Sequence, residues 1–391
     1  MTSKSGGTAI HRAALLATVN ACMFIFGVVL LLMGSLLPTL TISSARAGSL
    51  GSFPLIGILA ATILIGPVLD KTGAKAALAV SLGLIAAALA VMPGLESFTA
   101  LAAAALVYGL GGGVLNTATN ALISGVNASG RGAALNLLGF SFSLGAVTAP
   151  LLMSLLAGRF PASAVLRILA LAPAAVLIAV LALRFPPPVL SGVPLRSLLK
   201  VLNHPFVWLI GLLLFFESGD ENCMFVWAGR AVKDVTQVAA RRADLALVGL
   251  SIALGVGRLL AALWLEWLGS RNVLLLSAAV TIAGVVVARS YDSFAVMIAG
   301  FAVIGLGMSA TFPTALGVLG DRFPNETGTV FGAVMAVALA GGSSGPLVGG
   351  WLAGSSPANV LLVPATAAVA IAILTLTVPH TPRKAAEPLE S

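Results

Sequence analysis

Gly66-Pro67-Val68-Leu69-Asp70-Lys71-Thr72-Gly73-Ala74-Lys75 separates two apolar stretches, residues 50–69 and 76–93. Each stretch approaches the roughly 20 residues that a helix needs to cross the hydrocarbon core of a bilayer. Between them there is room for a turn and little else. Gly73 permits that turn to be tight, while Asp70, Lys71 and Lys75 keep it in water. Two membrane-crossing helices joined by a charged hairpin turn follow directly. The same device recurs 196 residues later, where Glu266-x-x-Gly269 repeats Asp70-x-x-Gly73.

Extending the reading in both directions gives twelve apolar stretches of spanning length. They are residues 13–40, 50–69, 76–93, 98–123, 133–157, 163–184, 206–230, 245–268, 272–289, 293–319, 327–352 and 358–378. The first is too long, and too closely followed by further spans, to be a cleaved signal peptide. The 391 residues are 59% hydrophobic and only 9% charged, against roughly 25% charged in a soluble domain. A chain so poor in charge cannot cover a water-soluble surface, which excludes a cytosolic enzyme, a secreted domain and a nucleic-acid-binding protein despite the net charge of +8. Cys22 and Cys223 lie inside apolar stretches, and His11, His204 and His380 do not cluster, so no disulfide framework, metal site or cofactor is expected.

Lys and Arg set orientation, because they are retained on the cytoplasmic side. With the N-terminus inside, twelve basic residues fall inside and eight outside, and four of those eight (Arg230, Lys233, Arg241, Arg242) belong to one segment. The expected protein therefore sits in the cytoplasmic (inner) membrane with both termini cytoplasmic. Residues 1–184 form a first half of six spans and residues 206–391 a second half with a short tail. The connection, residues 185–205, opens on Pro186-Pro187-Pro188 and places Leu195, Leu198, Leu199 and Leu202 on one face beside Arg196 and Lys200. That pattern predicts a short helix lying on the membrane surface.

The offset of 196 is not confined to the two turns. Gly109-Leu110-Gly111 is matched by Gly305-Leu306-Gly307, and Gly145 and Pro150 by Gly341 and Pro346. Coincidences in one register across separate spans mark a duplicated six-helix unit. Two such halves in parallel repeat enclose a central cavity that opens alternately to either side of the membrane.

Taken together, these residues resemble the major facilitator superfamily: the 66–75 stretch looks like its signature loop, and Gly257-Arg258 with Glu266-x-x-Gly269 like the second copy. Four segments are similar to the fucose permease-like sugar transporters: Met33–Pro38, Gly111–Asn120, Ala134–Gly145, and Glu217–Asn222 followed by Trp227. The resemblance implies the all-α major facilitator fold, with two pseudo-symmetric six-helix halves and no enzymatic activity. It implies transport of a sugar or related polar molecule by a monomer, with or without proton coupling. Asp70, Lys71, Gly73 and Lys75, with Arg258 and Glu266 in the second half, become a charge latch that holds the halves together on the inner side. Gly345-Pro346-Leu347-Val348-Gly349-Gly350 resembles the superfamily's antiporter motif, but in span eleven rather than span five, so it does not argue for export. The carboxylates that the sugar permeases carry in spans one and four align with Gly34 and Asn116 here, so their coupling chemistry does not transfer.

Acidic residues concentrate at one deep position, Glu217-Ser218-Gly219-Asp220-Glu221-Asn222 in span seven. A carboxylate at a helix centre costs about 2.5–3.5 kcal/mol on insertion scales. Three within five residues must face a cavity, share protons or find a cation. Glu217 and Glu221 lie one turn apart on one face, with Asp220 beside it. They are the candidates for proton coupling, and with Asp220 and Asn222 for substrate binding; Ser218-Gly219 is expected to weaken the helix there. Asn116 and Asn120 share a face of span four, where an amide serves equally as helix-to-helix glue or as a hydroxyl-binding group. Trp227 reads either as an interfacial anchor or, by the resemblance, as an aromatic that stacks on a sugar ring. The competing function is a proton-coupled exporter whose acids recognise cationic or amphipathic compounds.

Overall fold

The computed structural model describes residues 3–126, 131–156, 159–187, 203–323 and 327–378. Every extended element among them is a helix, and no strand occurs. That is the expected solution in lipid, where each backbone N–H and C=O must find its partner within the chain. Eleven helical stretches are long and apolar enough to cross a bilayer. The twelfth, Pro205–Thr236, is long enough at 32 residues and is set apart by its acids rather than by its length. The protein is a multi-pass membrane protein of twelve spans.

Spans two and three, Ser44–Val91, are two helices that meet at Gly73, whose backbone is not helical (φ 74°, ψ 166°). Spans eight and nine, Leu245–Ser290, meet in the same way at Gly269 (φ 74°, ψ 158°). A side chain at either φ would be strained, so the glycines at the two turns are required by the bend itself. Packing repeats with the same offset. A β-carbon on Gly109 would strike the carbonyl of Pro54, and one on Gly305 the carbonyl of Leu250. Gly111 lies against Ser81 and Ile85, and Gly307 against Thr281.

Span seven runs unbroken from Pro205 to Thr236, which corrects the expected weakening at Ser218-Gly219. Its start is capped by His204, whose ring nitrogen accepts the Phe206 N–H, and its end by Gln237 in the left-handed conformation. Gly219 serves packing instead: the missing side chain lets span eleven approach, with Gly345 against the Gly219 carbonyl. The expected surface helix between the halves lies outside the described residues.

Odd-numbered spans begin at one face of the bundle, here the near face, and end at the opposite, far face. At the far face the halves are in contact. Lys233 donates to the carbonyl of Pro38 at 2.6 Å, and Arg230 to that of Ile42 at 2.5 Å. Ser154 donates to the carbonyl of Arg241 at 2.8 Å. Gly48 of span two abuts Gly350 of span eleven so closely that a β-carbon on Gly48 would lie 2.8 Å from the Gly350 Cα. Toward the near face the same two spans leave their glycines uncovered. Gly66 and Gly332 have nothing within 4 Å of a would-be β-carbon, and both are exposed.

Candidate functional site

Span seven presents three faces, and helical spacing assigns its residues among them. Gly219, Cys223 and Trp227 face span eleven, where Gly349 lies against both the Cys223 sulfur and the indole. Glu217 and Asp220 turn into the second half and are 1% and 2% exposed. Ser218, Glu221, Asn222 and Phe225 line a cavity of about 220 Å³ between the two halves. Across it stand Met23 and Phe26 of span one, Asn116 of span four and Phe142 of span five. The second half completes it with Arg258 of span eight and Phe312 of span ten.

Arg258 and Glu221 meet at 3.3 Å (Nη2 to Oε1), with the arginine side chain 33% exposed and the glutamate 11%. The pair removes the charge penalty that Glu221 would otherwise carry at this depth. Glu217 lies one helical turn before Glu221 on the same helix. Neither Glu217 oxygen has a partner among the described residues, and neither does Oδ1 of Asp220. Asn222 donates to the carbonyl of Ser218 at 2.8 Å, and the Asn120 amide to Asn116 Oδ1 at 3.0 Å. No group of His, Cys, Asp and Glu among the described residues is arranged to hold a metal ion.

Several expectations change. Arg258 is not part of a turn-side latch: it sits 13 positions past Leu245, inside span eight, and points at Glu221 in the cavity. Trp227 does not line the cavity; it is 1% exposed, and its indole N–H donates to the Pro346 carbonyl at 3.1 Å. Proline at 346 has no N–H of its own to give the helix, and its carbonyl is here taken up from a neighbouring span. Glu217 and Asp220 are placed behind the cavity rather than on it, and Asn120 serves Asn116 rather than the cavity wall. Glu221, Asn222 and Asn116 line the cavity.

In the signature turn, Gly73 makes the bend and Lys71 is exposed. Lys75 donates to the carbonyls of Leu181 and Leu183, both at 2.8 Å, fastening span three to the end of span six. The side chains of Asp70, Glu266 and Asn136 lie outside the described residues. A larger cavity, about 510 Å³, lies at the far face among Leu36, Met92, Leu101, Met153 and Phe160, and no charged side chain lines it.

Two features escaped the sequence reading. One is Arg258 as a cavity residue, although it is the one basic residue of 21 placed deep inside a span. The other is the role of Arg230 and Lys233. Read as topogenic charges they contradict the orientation; in the fold they satisfy carbonyls left open where span one ends, a favourable place for cations.

The profile of the Major Facilitator Superfamily matches residues 14–230 and 224–391, both halves of the chain. An "uncharacterized MFS-type transporter" of Yersinia pestis is 27% identical over 186 residues, 48% of this chain and 47% of that protein. The match thus spans about half the length of that curated relative. Among solved structures, a mutant form of the nucleoside transporter NupG superimposes with a TM-score of 0.79 at 15% identity, covering 93% of this chain and 99% of its own. A bacterial homolog of the human lysosomal transporter Spinster, inward-facing and occupied, gives 0.78 at 14%, covering 94% and 95%. A D-xylose–proton symporter gives 0.74 at 16%, covering 96% and 99%. At such identities these likenesses show the fold alone, and the profile match shows the family. The chain belongs to the Major Facilitator Superfamily and is a transporter, not an enzyme.

Proposed function

We propose that this transporter moves a sugar or related polar small molecule across the cytoplasmic membrane by alternating access, as a monomer with both termini in the cytoplasm. The observation that carries the reading is the cavity between the halves, which gathers Glu221, Arg258, Asn116 and Asn222 within an otherwise mainly apolar lining. Its volume falls below the roughly 300–1,000 Å³ of drug-sized sites, which suits a small metabolite. The names of two similar folds, a nucleoside transporter and a D-xylose–proton symporter, support a hydroxylated cargo, as does the resemblance to the fucose permease-like proteins. Proton coupling, where present, runs through Glu217 and Glu221, since spans one and four offer no acid at the matching positions. The exporter reading is weaker, because Arg258 neutralises the one carboxylate that faces the cavity.

Alternating access is supported by the glycines of spans two and eleven. Gly48 and Gly66 are 18 residues apart, as are Gly332 and Gly350. Eighteen residues make five helical turns, about 27 Å, so each pair shares one face of its helix. The far-face pair touches and the near-face pair does not. A rocking motion that separates Gly48 from Gly350 brings Gly66 toward Gly332, closing the near face. The test joins Gly66→Cys and Gly332→Cys with a short bifunctional thiol reagent in proteoliposomes, while flux of labelled sugars and cationic dyes is followed. Cross-linking should occur and should stop sugar flux reversibly. Cross-linked protein that still carries sugar sinks the mechanism, and dye flux without sugar flux favours the exporter.

A further inference from the structure

Within the reading of the central cavity as the cargo site, we infer that the cargo carries a carboxylate, which Arg258 binds in exchange for Glu221, and that Glu221 takes up a proton as it is released.

Of the charged groups at the cavity, Arg258 is the one that a cargo can reach. Glu217 and Asp220 are almost wholly buried, and Glu221 is largely so. Arg258 is the most exposed charged side chain of the cavity, three times more open than its partner. A guanidinium has five N–H donors in a planar fork. Among the described residues Arg258 spends one of them, on a single oxygen of Glu221 at 3.3 Å. Charge-assisted bonds of this type run at about 2.7–2.9 Å, and a carboxylate that meets the fork squarely makes two of them. The Arg258–Glu221 pair is therefore long and one-pronged, with Glu221 anchored to its helix. A free carboxylate entering the cavity is not so constrained. Asn116, Asn222 and Ser218 remain for the hydroxyls of the same molecule, while Phe26, Phe142 and Phe312 supply its apolar walls.

Displacement has a consequence for Glu221. Its own helix places Glu217 and Asp220 beside it, and span eight supplies Arg258. The other spans at the cavity contribute Met23, Phe26, Asn116, Phe142, Phe312 and Met335, none of which carries charge. Once Arg258 turns to the cargo, Glu221 has no counter-charge and two acids beside it. A proton from the water of the open side is the compensation at hand. The balance is one carboxylate anion and one proton bound, with Arg258 keeping its charge and Glu221 becoming neutral. Cargo and proton then travel together without net charge.

The test compares D-glucuronate with D-glucose, which differ at one carbon, together with gluconate and lactate, on the purified full chain. Thermal stability reports binding, and a dye in weakly buffered solution reports protons. Glucuronate should stabilise the wild type and draw close to one proton per molecule bound, whereas glucose should do neither. Arg258→Gln should weaken the acid at least tenfold, with Arg258→Lys recovering part of the loss. Glu221→Gln should bind the acid at least as well as wild type but without proton uptake. The inference is overturned if no carboxylate in the set stabilises the wild type, if glucose binds as well as glucuronate, or if acid binding moves no proton. Those outcomes leave the transport reading intact. That reading fails separately, if a compound that binds shows no flux in proteoliposomes.

Discussion

Trp227 shows how a single residue changes meaning once its neighbours are known. Its indole closes on the Pro346 carbonyl, which the helix of span eleven presents to span seven. Trp227→Phe keeps an aromatic ring, leaves a small cavity and loses one buried hydrogen bond, together worth about 2 kcal/mol. The melting temperature in detergent should fall by a few degrees at most, while KM for transport stays within about twofold. A large rise in KM at unchanged stability would place the indole on the cargo instead. Tyr108 is the converse case: its hydroxyl is fully buried without a partner among the described residues. Tyr108→Phe should be neutral or stabilising by up to about 1 kcal/mol, because an unsatisfied polar group is removed. The acids are tested by separating accumulation from exchange. Glu217→Gln or Glu221→Gln should abolish uptake driven by a pH gradient, yet leave exchange of labelled for unlabelled substrate measurable. Accumulation that survives in both variants and in the double variant would make the cluster structural.

At the scale of elements, span seven is three surfaces wound on one helix. One is cut to span eleven by Gly341, Gly345 and Gly349, whose absent side chains admit backbone, sulfur and indole. In a bilayer such close approach replaces the hydrophobic drive that helices have in water. Gly345→Leu would push a side chain into the Gly219 carbonyl, where the only relief is separation of the two spans. Overpacking of this kind costs about 1–3 kcal/mol or more. Expression and thermal stability should both drop, and Gly332→Leu, at an open position on the same helix, serves as the control that should not destabilise this state. The end of span seven carries a second function. Lys233 and Arg230 tie it to the turn after span one, and a hydrogen bond from a charged group contributes about 1.5–3 kcal/mol. Lys233→Gln should therefore shift the population toward the far-face-open state by roughly tenfold. The rate at which an Asn222→Cys thiol reacts with a membrane-impermeant reagent from the far side measures it; an unchanged rate would show that the contact does not gate.

For the whole molecule, the described residues join the halves at the far face and leave Gly66 and Gly332 uncovered at the near face, the pattern of a state open on the near side. The reagent just described should accordingly reach Asn222→Cys readily from the near face and slowly from the far face in otherwise wild-type protein. Gly66→Trp should hold this state, because the indole occupies the space that closure of the near face requires. Near-face labelling should then rise while flux stops and cargo binding persists. Loss of binding together with flux would instead point to general misfolding.

Two kinds of information meet in this chain. Twelve spans, the hairpin turns at Gly73 and Gly269, and the duplication at 196 residues were legible in order and composition alone. The bilayer imposes length, and a backbone without water imposes helix, so each span announces itself locally. The depth of Glu217, Asp220 and Glu221 was legible for the same reason. Which of them meets the cavity was not, because one helical residue turns the side chain by about 100° and the sequence does not say which way the helix faces. The partnership of Arg258 with Glu221, the burial of Trp227, and the grip of Lys233 and Arg230 on the first half depend on contacts between residues 37 to 195 positions apart. Only packing sets them, since a side chain's role in a membrane is decided by whether lipid, a neighbouring helix or the cavity covers it.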